Sequence, residues 1–496
     1  MSTSMSCGVE LLVRESYAPC NRSVHFGCLD DSTMWVTGGC RGRFQCGRSP
    51  SGQTRISCGY PGQRGIDRDT CACREPLPPW RPPAAWLPSV YVYTGHALNH
   101  NWLRKCPGFE ALQEGPLAEN LAEVQLLRAL QRHRVHDPTK ADLFFVPVFE
   151  FASWKLGRCE KTTHASRMRQ AHTALSSSAS WQQHRGERHV FASSAYSTNN
   201  PAVRSVTIER LDPLSSDLLR GIAGRYKVGL PPHSRVVSNP NCVVEAPYAL
   251  PRAVRRTILS LWPITQTPTL GPRKVLLFFA GSIDVCCSGK AVRCAIGDLV
   301  VRAQCDGDVL VRMTGTGPCT RRTKKRLRES GACGGRKLGE AAIRSARPQE
   351  EVPSDRYGFV NRSQVELTAT QMASATFCLV PAGDTIVTSR LYWAMALGCL
   401  PVVLDLAGGR PGAFAEEAQY DSFWIQGKRF EGNPTALLKQ LRSIPSDEIR
   451  RRQVKMLEHR ADVLYEHPES RVGVNFLRAA GRTECARPSA SSSLGK

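Results

Sequence analysis

One segment of the sequence combines the residue types that bind a phosphorylated ligand. An apolar strand, Thr376–Val380, runs into a Pro/Gly turn, and a helix is predicted from Ser389 to Leu397. Thr388 or Ser389 is placed to cap this helix, and Arg390 falls in its first turn. Free N–H groups, hydroxyls and a guanidinium at a helix N-terminus suit a diphosphate. An ordinary strand–helix connection with a solvated arginine explains the segment equally well.

Acidic residues offer a second kind of chemistry, metal binding. Asp306 and Asp308 have the spacing of an Asp-x-Asp pair, but the glycine between them indicates a turn. Asp284 has no such partner. The sequence therefore predicts neither a metal site nor a cofactor.

Strand and helix patterns alternate around these residues. After a short run at Ser89–Tyr93, apolar residues at helical spacing over 117–134 predict a helix, and Asp137-Pro138 ends it. The other predicted strands are Ala141–Val148, His189–Ala192, Lys274–Ala280, Thr376–Val380 and Leu400–Leu404. Strand–helix–strand units at these spacings predict α/β architecture with parallel sheets.

Composition divides the 496 residues into a small module and two larger domains. The predicted boundaries are a Cys-rich module at 1–75, a Pro-rich linker at 76–88, α/β domains at 89–262 and 272–470, and a tail at 471–496. A long helix, Asp447–Tyr465, is expected to close the second domain, and 315–347 is predicted to be a surface loop. The content of 41% hydrophobic and 22% charged residues excludes a disordered chain and a polytopic membrane protein.

Cysteine usage indicates the cellular compartment. Eight of the 20 cysteines lie in the first 73 residues, which favours a disulfide scaffold over zinc because the spacings do not fit a zinc finger. Sequons at Asn21 and Asn361 agree with the secretory pathway. No secretory signal opens the chain, so we expect that an N-terminal segment is missing.

Five collinear motifs resemble the exostosin-type glycosyltransferases (family 47). They are Val90–Tyr93, Asp137-Pro138 followed by Ala141–Pro147, His189–Phe191, Phe278–Gly281 with Val292-Arg293, and Phe377–Val403. The resemblance covers about 90–465. The Cys-rich block is loosely similar to the EGF-like modules of some members.

The resemblance implies a GT-B-like pair of Rossmann-type domains and a sugar transfer that inverts the anomeric carbon without a required metal. The second domain would hold a UDP- or GDP-sugar and the first a glycan or glycoprotein acceptor, in the Golgi lumen or elsewhere in the secretory pathway. The implied diphosphate-binding residues are Arg293, Arg390, Gly383, Asp384, Thr388 and Ser389.

The acceptor side needs a carboxylate or histidine to deprotonate the attacking hydroxyl. The candidates for this base are Glu150, His96 and His189, which lie near predicted strand ends. Such residues are more often a buried, hydrogen-bonded histidine or a surface glutamate than a catalytic base.

Two departures from the family pattern bear on activity. Trp393 stands where the family has an acidic residue, and Ser389 replaces the first of two arginines. A catalytically degenerate carbohydrate-binding relative is therefore the alternative function.

A different class of protein is suggested by the formal net charge of +23 and the basic run Arg321–Arg328. These features permit a cytosolic protein that binds nucleic acid. The run has no interleaved aromatic residues, so a solvated segment is the preferred interpretation.

Overall fold

A computed structural model of the chain provides the structure. It describes residues 8–14, 16, 18–30, 33–47, 54–58, 68–73, 87–184, 188–192, 226–228, 244–261, 270–284, 290–303, 306–314, 317–329, 362–382, 388–404, 412–427 and 433–482. Across these ranges, no helix has the length and apolar character that a bilayer crossing requires.

The N-terminal module, residues 8–73, consists of two antiparallel three-stranded sheets. Its strands are β1 (Gly8–Arg14), β2 (Phe26–Asp30), β3 (Thr33–Thr37), β4 (Gly42–Gly47), β5 (Thr54–Cys58) and β6 (Arg68–Ala72), in the orders β1-β4-β5 and β2-β3-β6. Three disulfides, Cys20–Cys40, Cys46–Cys73 and Cys58–Cys71, surround a small core that contains Met34 and Phe44. The predicted disulfide-rich module is confirmed.

The first α/β unit, residues 87–261, is built on a parallel sheet in the order β10-β9-β7-β8. Its elements are β7 (Val90–Val92), α1 (Phe109–Glu114), α2 (Ala122–Gln131), β8 (Arg134–Val135), β9 (Leu143–Val146), α3 (Glu150–Leu156), α4 (His164–Ser176), α5 (Ala179–His184) and β10 (His189–Phe191). A short parallel pair, β11 (Tyr226–Val228) and β12 (Val244–Ala246), and α6 (Arg252–Leu261) complete the described part of this unit. Strand β9 is buried along its whole length, as its continuous apolar sequence predicts.

The helix predicted at 117–134 is shorter than expected. Pro116–Leu121 is a 3-10 helix, and α2 follows it only from Ala122 to Gln131. Strand β8 then precedes a 3-10 turn, Pro138–Lys140, which Asp137 caps by accepting a hydrogen bond from the Thr139 backbone N–H.

The second α/β unit, residues 270–482, contains a five-stranded parallel sheet in the order β14-β13-β15-β16-β17. Its strands are β13 (Val275–Ser282), β14 (Val309–Thr314), β15 (Ala375–Pro381), β16 (Leu400–Leu404) and β17 (Ile425–Gly427). Its helices are α7 (Lys290–Arg302), α8 (Pro318–Glu329), α9 (Arg362–Ala373), α10 (Ser389–Ala396), α11 (Ala415–Ala418), α12 (Pro434–Arg442), α13 (Ser446–Glu458), α14 (Arg460–Val463) and α15 (Val472–Gly481). Two successive parallel α/β units confirm the predicted GT-B-like fold class.

Helix α8 corrects the first part of the surface loop expected at 315–347, whereas 330–347 lie outside the described residues. Asp284 initiates this helix by accepting hydrogen bonds from the backbone N–H groups of Gly317 and Cys319 at 3.0 and 2.8 Å. The Cys294–Cys319 disulfide ties α8 to α7. The basic run therefore lies on a packed helix, where the guanidiniums of Arg322 and Arg326 pair with Asp298.

Two predicted boundaries at the end of the second unit are also wrong. The single helix expected at 447–465 is divided at His459 into α13 and α14. The tail expected from 471 begins with α15, whose Phe476 and Leu477 are buried. This helix packs against α2 and β12 of the first unit, and one hydrophobic core contains residues of both units.

Candidate active site

Arg390 is held at the start of α10, just beyond the carboxyl end of β15. The extended Thr388 caps the helix, its hydroxyl accepting a hydrogen bond from the Arg390 backbone N–H at 3.4 Å. The following residues, Leu391–Ala396, are all buried, so α10 is fixed against the sheet. Sequence reasoning predicted this helix start and its cap correctly.

The guanidinium of Arg390 lies over Phe279 on the neighbouring strand. Its central carbon is 5.5 Å from the ring centroid. Gly281 makes this position possible, because a Cβ atom built there would lie 2.6 Å from Nη2 of Arg390. The side chain thus occupies space at the carboxyl edge of the second sheet that only a glycine leaves open.

Arg293 reaches the same ring from α7. Its guanidinium carbon is 5.9 Å from the Phe279 centroid, and the residue is only 6% exposed. Its Nε and Nη1 donate to the carbonyl oxygens of Ala382 and Ser282 at 2.7 and 2.8 Å. Arg293 therefore joins the carboxyl ends of β13 and β15 and places a second guanidinium beside the Phe279 ring.

The other predicted diphosphate ligands divide into two groups. Thr388 is buried and Ser389 is half-buried beside Arg390. Gly383 and Asp384 lie outside the described residues, as does most of the turn that joins β15 to α10.

Cys378 on β15 and Cys399, the residue before β16, are joined by a disulfide. Both residues are fully buried. This bond closes the strand–helix–strand segment that carries Arg390.

Glu119 is a residue of this site that sequence reasoning missed. It belongs to the 3-10 helix of the first α/β unit, yet it lies near enough to Ser389 and Arg390 of the second unit for both residues to affect its pKa. Burial raises the pKa of Glu119, while Ser389 and Arg390 act to lower it. No local pattern marks this residue, since its partners lie about 270 positions further along the chain.

Two of the predicted acceptor-side bases follow strands of the first sheet at their carboxyl ends. His96 comes after β7, is exposed, and stacks on Trp102 with ring centroids 4.9 Å apart. Glu150 comes after β9 as the first residue of α3. Both residues therefore follow the carboxyl ends of strands in the first sheet.

The third predicted base, His189, is inside the sheet. It pairs with Phe144 in strand register, has no exposed surface, and its Nε2 is 2.9 Å from the Tyr93 hydroxyl. Phe144 also stacks on its ring at 4.8 Å. This environment is that of a hydrogen-bonded core histidine.

A second buried carboxylate, Glu123, supports the edge of the first sheet. It accepts hydrogen bonds from the backbone N–H groups of Phe151 and Ala152 at 3.3 and 2.9 Å, which caps α3. Burial raises its pKa well above the ordinary value, and the nearby Glu150 charge adds to this effect. Glu123 therefore fixes the helix that carries Glu150.

The aspartates that could have been metal ligands are instead hydrogen bonded to other groups of the protein. Asp306 and Asp308 both accept hydrogen bonds from Nη2 of Arg442, at 3.0 and 2.9 Å. Asp284 caps α8, as described above. In the described ranges, no three His, Cys, Asp or Glu side chains are grouped as a metal site would require.

Comparison with known proteins assigns the family. The family model of the Exostosin GT47 domain matches residues 87–433, which is more than half of the chain. The chain belongs to the exostosin GT47 family. It is a glycosyltransferase, as the resemblance implied.

Solved structures give only distant similarities. An α,α-trehalose 6-phosphate synthase from Burkholderia multivorans is 12% identical, with a TM-score of 0.33 and coverage of 75% of this chain and 79% of that one. WaaG, a glycosyltransferase involved in lipopolysaccharide biosynthesis, is 12% identical, with a TM-score of 0.30 and coverage of 66% and 85%. No curated protein matches the chain significantly.

Proposed function

We propose that this glycosyltransferase moves a sugar from a UDP- or GDP-sugar to a glycan or glycoprotein, with inversion and without a metal. One observation carries the proposal: the guanidinium carbons of Arg390 and Arg293 lie 5.5 and 5.9 Å from the centroid of the same ring, Phe279, at the carboxyl edge of the second sheet. Open α/β sheets bind ligands at this edge. Two guanidiniums beside a helix N-terminus suit the donor diphosphate.

The proposed reaction needs positive charge most when the donor bond breaks. The acceptor hydroxyl oxygen forms a bond to the anomeric carbon while the bond from that carbon to the diphosphate oxygen breaks. The departing nucleoside diphosphate gains negative charge, which Arg390 and the N–H groups of α10 would stabilise more strongly than in the bound donor. Inversion follows from a single displacement of this kind.

The hydroxyl proton would pass to a base on the first α/β unit. Glu150 and His96 are the candidates whose position at the carboxyl edge of the first sheet supports this role. His189 is the weakest candidate because its ring is enclosed and hydrogen bonded to Tyr93.

The first experiment is a donor panel. Nucleotide sugars that bind the native protein raise its melting temperature, and we expect a UDP- or GDP-sugar to do so. Arg390→Ala should weaken this binding at least about 10-fold, the effect of losing roughly one charge-assisted hydrogen bond.

The matched control is Arg451→Ala, which removes an exposed arginine that pairs only locally with Glu448 on α13. It should leave donor binding unchanged. Absence of any donor-induced shift in the native protein would refute the proposal, and so would equal effects of the two variants.

The alternative function is a carbohydrate-binding relative that has lost transfer. Trp393, in place of an acidic residue, is 7% exposed and fills the space one helical turn after Arg390. The two functions differ in turnover: a degenerate relative would bind glycans without releasing nucleoside diphosphate from any donor.

We propose the secretory pathway, specifically the Golgi lumen, as the location. All cysteines with described surroundings are in disulfides, including Cys106–Cys159 of the first α/β unit. Asn21 of the first sequon is exposed. Protein from secretory cells should therefore lack free thiols and lose mass on deglycosylation, whereas reduced cysteines would contradict this location.

A further inference from the structure

We propose that Arg167 is a positioning residue for the acceptor side of the reaction: its buried guanidinium holds the carboxyl end of α3 and thereby fixes Glu150 at the start of that helix. This role rests on the proposed function, in which Glu150 and His96 are the candidate bases, and it selects Glu150. Arg167 would then act on catalysis through Glu150 and not through donor binding.

Arg167 on α4 uses every one of its N–H groups inside the protein. The residue is only 1% exposed. Its Nη2 donates to the backbone carbonyl oxygens of Ser153 and Gly157 at 2.8 and 2.6 Å, and its Nε donates to the Ser153 hydroxyl at 2.8 Å. Its Nη1 donates to the carbonyl and hydroxyl oxygens of Thr162 at 3.1 and 3.0 Å. The guanidinium therefore joins α3 to the segment before α4, with all its donors satisfied.

The charge of Arg167 is balanced by the end of a helix. None of the acceptors just named is a carboxylate, and a buried guanidinium is costly unless its surroundings carry negative charge. Ser153 is in the last turn of α3, and Gly157 is its C-cap. The carbonyl oxygens at this end of a helix carry the partial negative charge of the helix dipole. Arg167 is thus a buried cap for the carboxyl end of α3.

The opposite end of α3 is held by a buried carboxyl group. Glu123 has no exposed surface and accepts hydrogen bonds from the backbone N–H groups of Phe151 and Ala152, as described above. With seven residues, α3 is about 10 Å long and too short to be stable as an isolated helix. Its position therefore depends on the groups that hold its two ends. Glu150 is its first residue and is placed by both of them.

Loss of the Arg167 contacts should displace Glu150 without removing it. The carbonyl oxygens of Ser153 and Gly157 would lose a buried donor, so the last turn of α3 must shift to find other partners. A general base must lie within hydrogen-bond reach of the proton, and a displacement of about 1 Å can lower a rate about 100-fold. Because the donor would bind the second unit, the effect should appear in kcat and not in donor KM.

The test is a double-variant cycle of Arg167→Met and Glu150→Gln, measured as nucleoside diphosphate release from the donor identified by the panel, with water as the acceptor. The water oxygen bonds to the anomeric carbon as the bond to the diphosphate oxygen breaks, and one water proton passes to Glu150. We expect Arg167→Met to lower kcat per donor-binding site about 10- to 100-fold and to change donor KM by less than about 2-fold. Glu150→Gln should lower kcat about 100-fold, and the double variant should lower it no further.

Two further variants complete the design. Arg169→Met is the matched control, because it removes an exposed arginine from the same helix and should leave kcat unchanged. Ser153→Ala removes the Nε contact of Arg167, together with a 2.9 Å contact to Nδ1 of His164, and should lower kcat about 3-fold. It takes the place of Arg167→Met in the cycle if that variant does not fold. Circular dichroism and the melting temperature without donor establish that each variant is folded.

The outcomes separate this role from the proposed function. Additive losses in the cycle, or a native kcat per donor-binding site in Arg167→Met, would show that Arg167 only stabilises the fold. A native rate in Glu150→Gln would also refute the role, while loss of donor binding in Arg390→Ala would still support the proposed function. If the native protein binds donor but releases no nucleoside diphosphate, the role fails together with transfer. If it binds no nucleotide sugar, the proposed function itself fails.

Discussion

At the residue scale, the two arginines of the candidate site are held in place by different contacts. Arg293 directs two of its N–H groups to the backbone carbonyls of Ser282 and Ala382, so its charge is fixed in place by the strands. The side chain of Arg390 is positioned instead by the Phe279 ring and by the space above Gly281. We therefore expect Arg293 to contribute to stability and binding, and Arg390 mainly to binding.

Gly281 provides a test that leaves both arginines in the sequence. In Gly281→Ala the new Cβ would lie 2.6 Å from Nη2 of Arg390, so the flexible guanidinium must move. Donor Kd should increase about 10-fold or more, the effect of misplacing one charge-assisted hydrogen bond. The φ of 157° at Gly281 adds a small loss of stability.

Gly307→Ala is the matched control, since nothing lies within 4 Å of its added Cβ. Donor titrations followed by melting temperature would measure both variants. Native affinity in Gly281→Ala would show that Arg390 does not bind the donor from its present position.

At the element scale, the Cys378–Cys399 disulfide encloses α10 and the carboxyl half of β15. Opening this loop, which has a sequence separation of 21, should lower the free energy of unfolding by about 3 kcal/mol because the unfolded chain regains freedom. The prediction applies to Cys378→Ala/Cys399→Ala and is measured by denaturant unfolding. An unchanged free energy of unfolding would mean that packing alone holds α10.

The same elements show what the sequence could reveal. The start of α10 was predictable because Thr388 and Arg390 are adjacent signals. Helix α8 was not, because its cap, Asp284, is more than 30 residues away and its buried face contains Thr320 and Thr323 among many basic residues. The start of α10 is therefore readable from adjacent residues, whereas α8 depends on residues that meet only in the folded chain.

The candidate site follows the same division. Arg293 and Arg390 could be proposed as diphosphate ligands because the family resemblance picks out motifs within single strand–helix segments. Glu119 was missed because it approaches Ser389 and Arg390 only once the two α/β units face each other. His189 shows the opposite case, since its position near a strand end was predictable but its enclosure by Phe144 and Tyr93 was not.

At the scale of the whole molecule, two further carboxylates lie where the units meet. Oε1 of Glu466 accepts a hydrogen bond from the Leu250 backbone N–H at 3.3 Å, which links the second unit to the first. Burial raises the pKa of Tyr392 on α10 well above its ordinary value, and the nearby Glu245 on β12 adds to this effect. Burial raises the pKa of both glutamates to about 7.

These values predict how stability depends on pH. In the unfolded chain both groups lose their protons near pH 4.5, whereas the folded protein retains them to about 7. Their stabilising contribution is therefore complete below about 4.5 and is lost as the pH rises through 7. The melting temperature of the native protein should fall by several degrees between pH 5.5 and 8 relative to that of Glu245→Gln/Glu466→Gln.

Comparing the two proteins at each pH removes the contribution of other groups. His100 and His164, for example, have pKa values lowered to about 4 by burial and act in the opposite direction. Parallel melting curves across this range would show that the two glutamates are ionised in the folded protein.

Helix α15 determines whether the first α/β unit can be expressed by itself. Although it lies near the end of the chain, Gly473 packs so closely on α2 that an added Cβ would be 2.7 Å from the Ala129 carbonyl oxygen. A fragment that stops at residue 262 would therefore expose an apolar surface that this distant helix normally covers. Separate expression of the first unit should yield aggregated material, and supplying residues 463–482 as a peptide should restore its solubility.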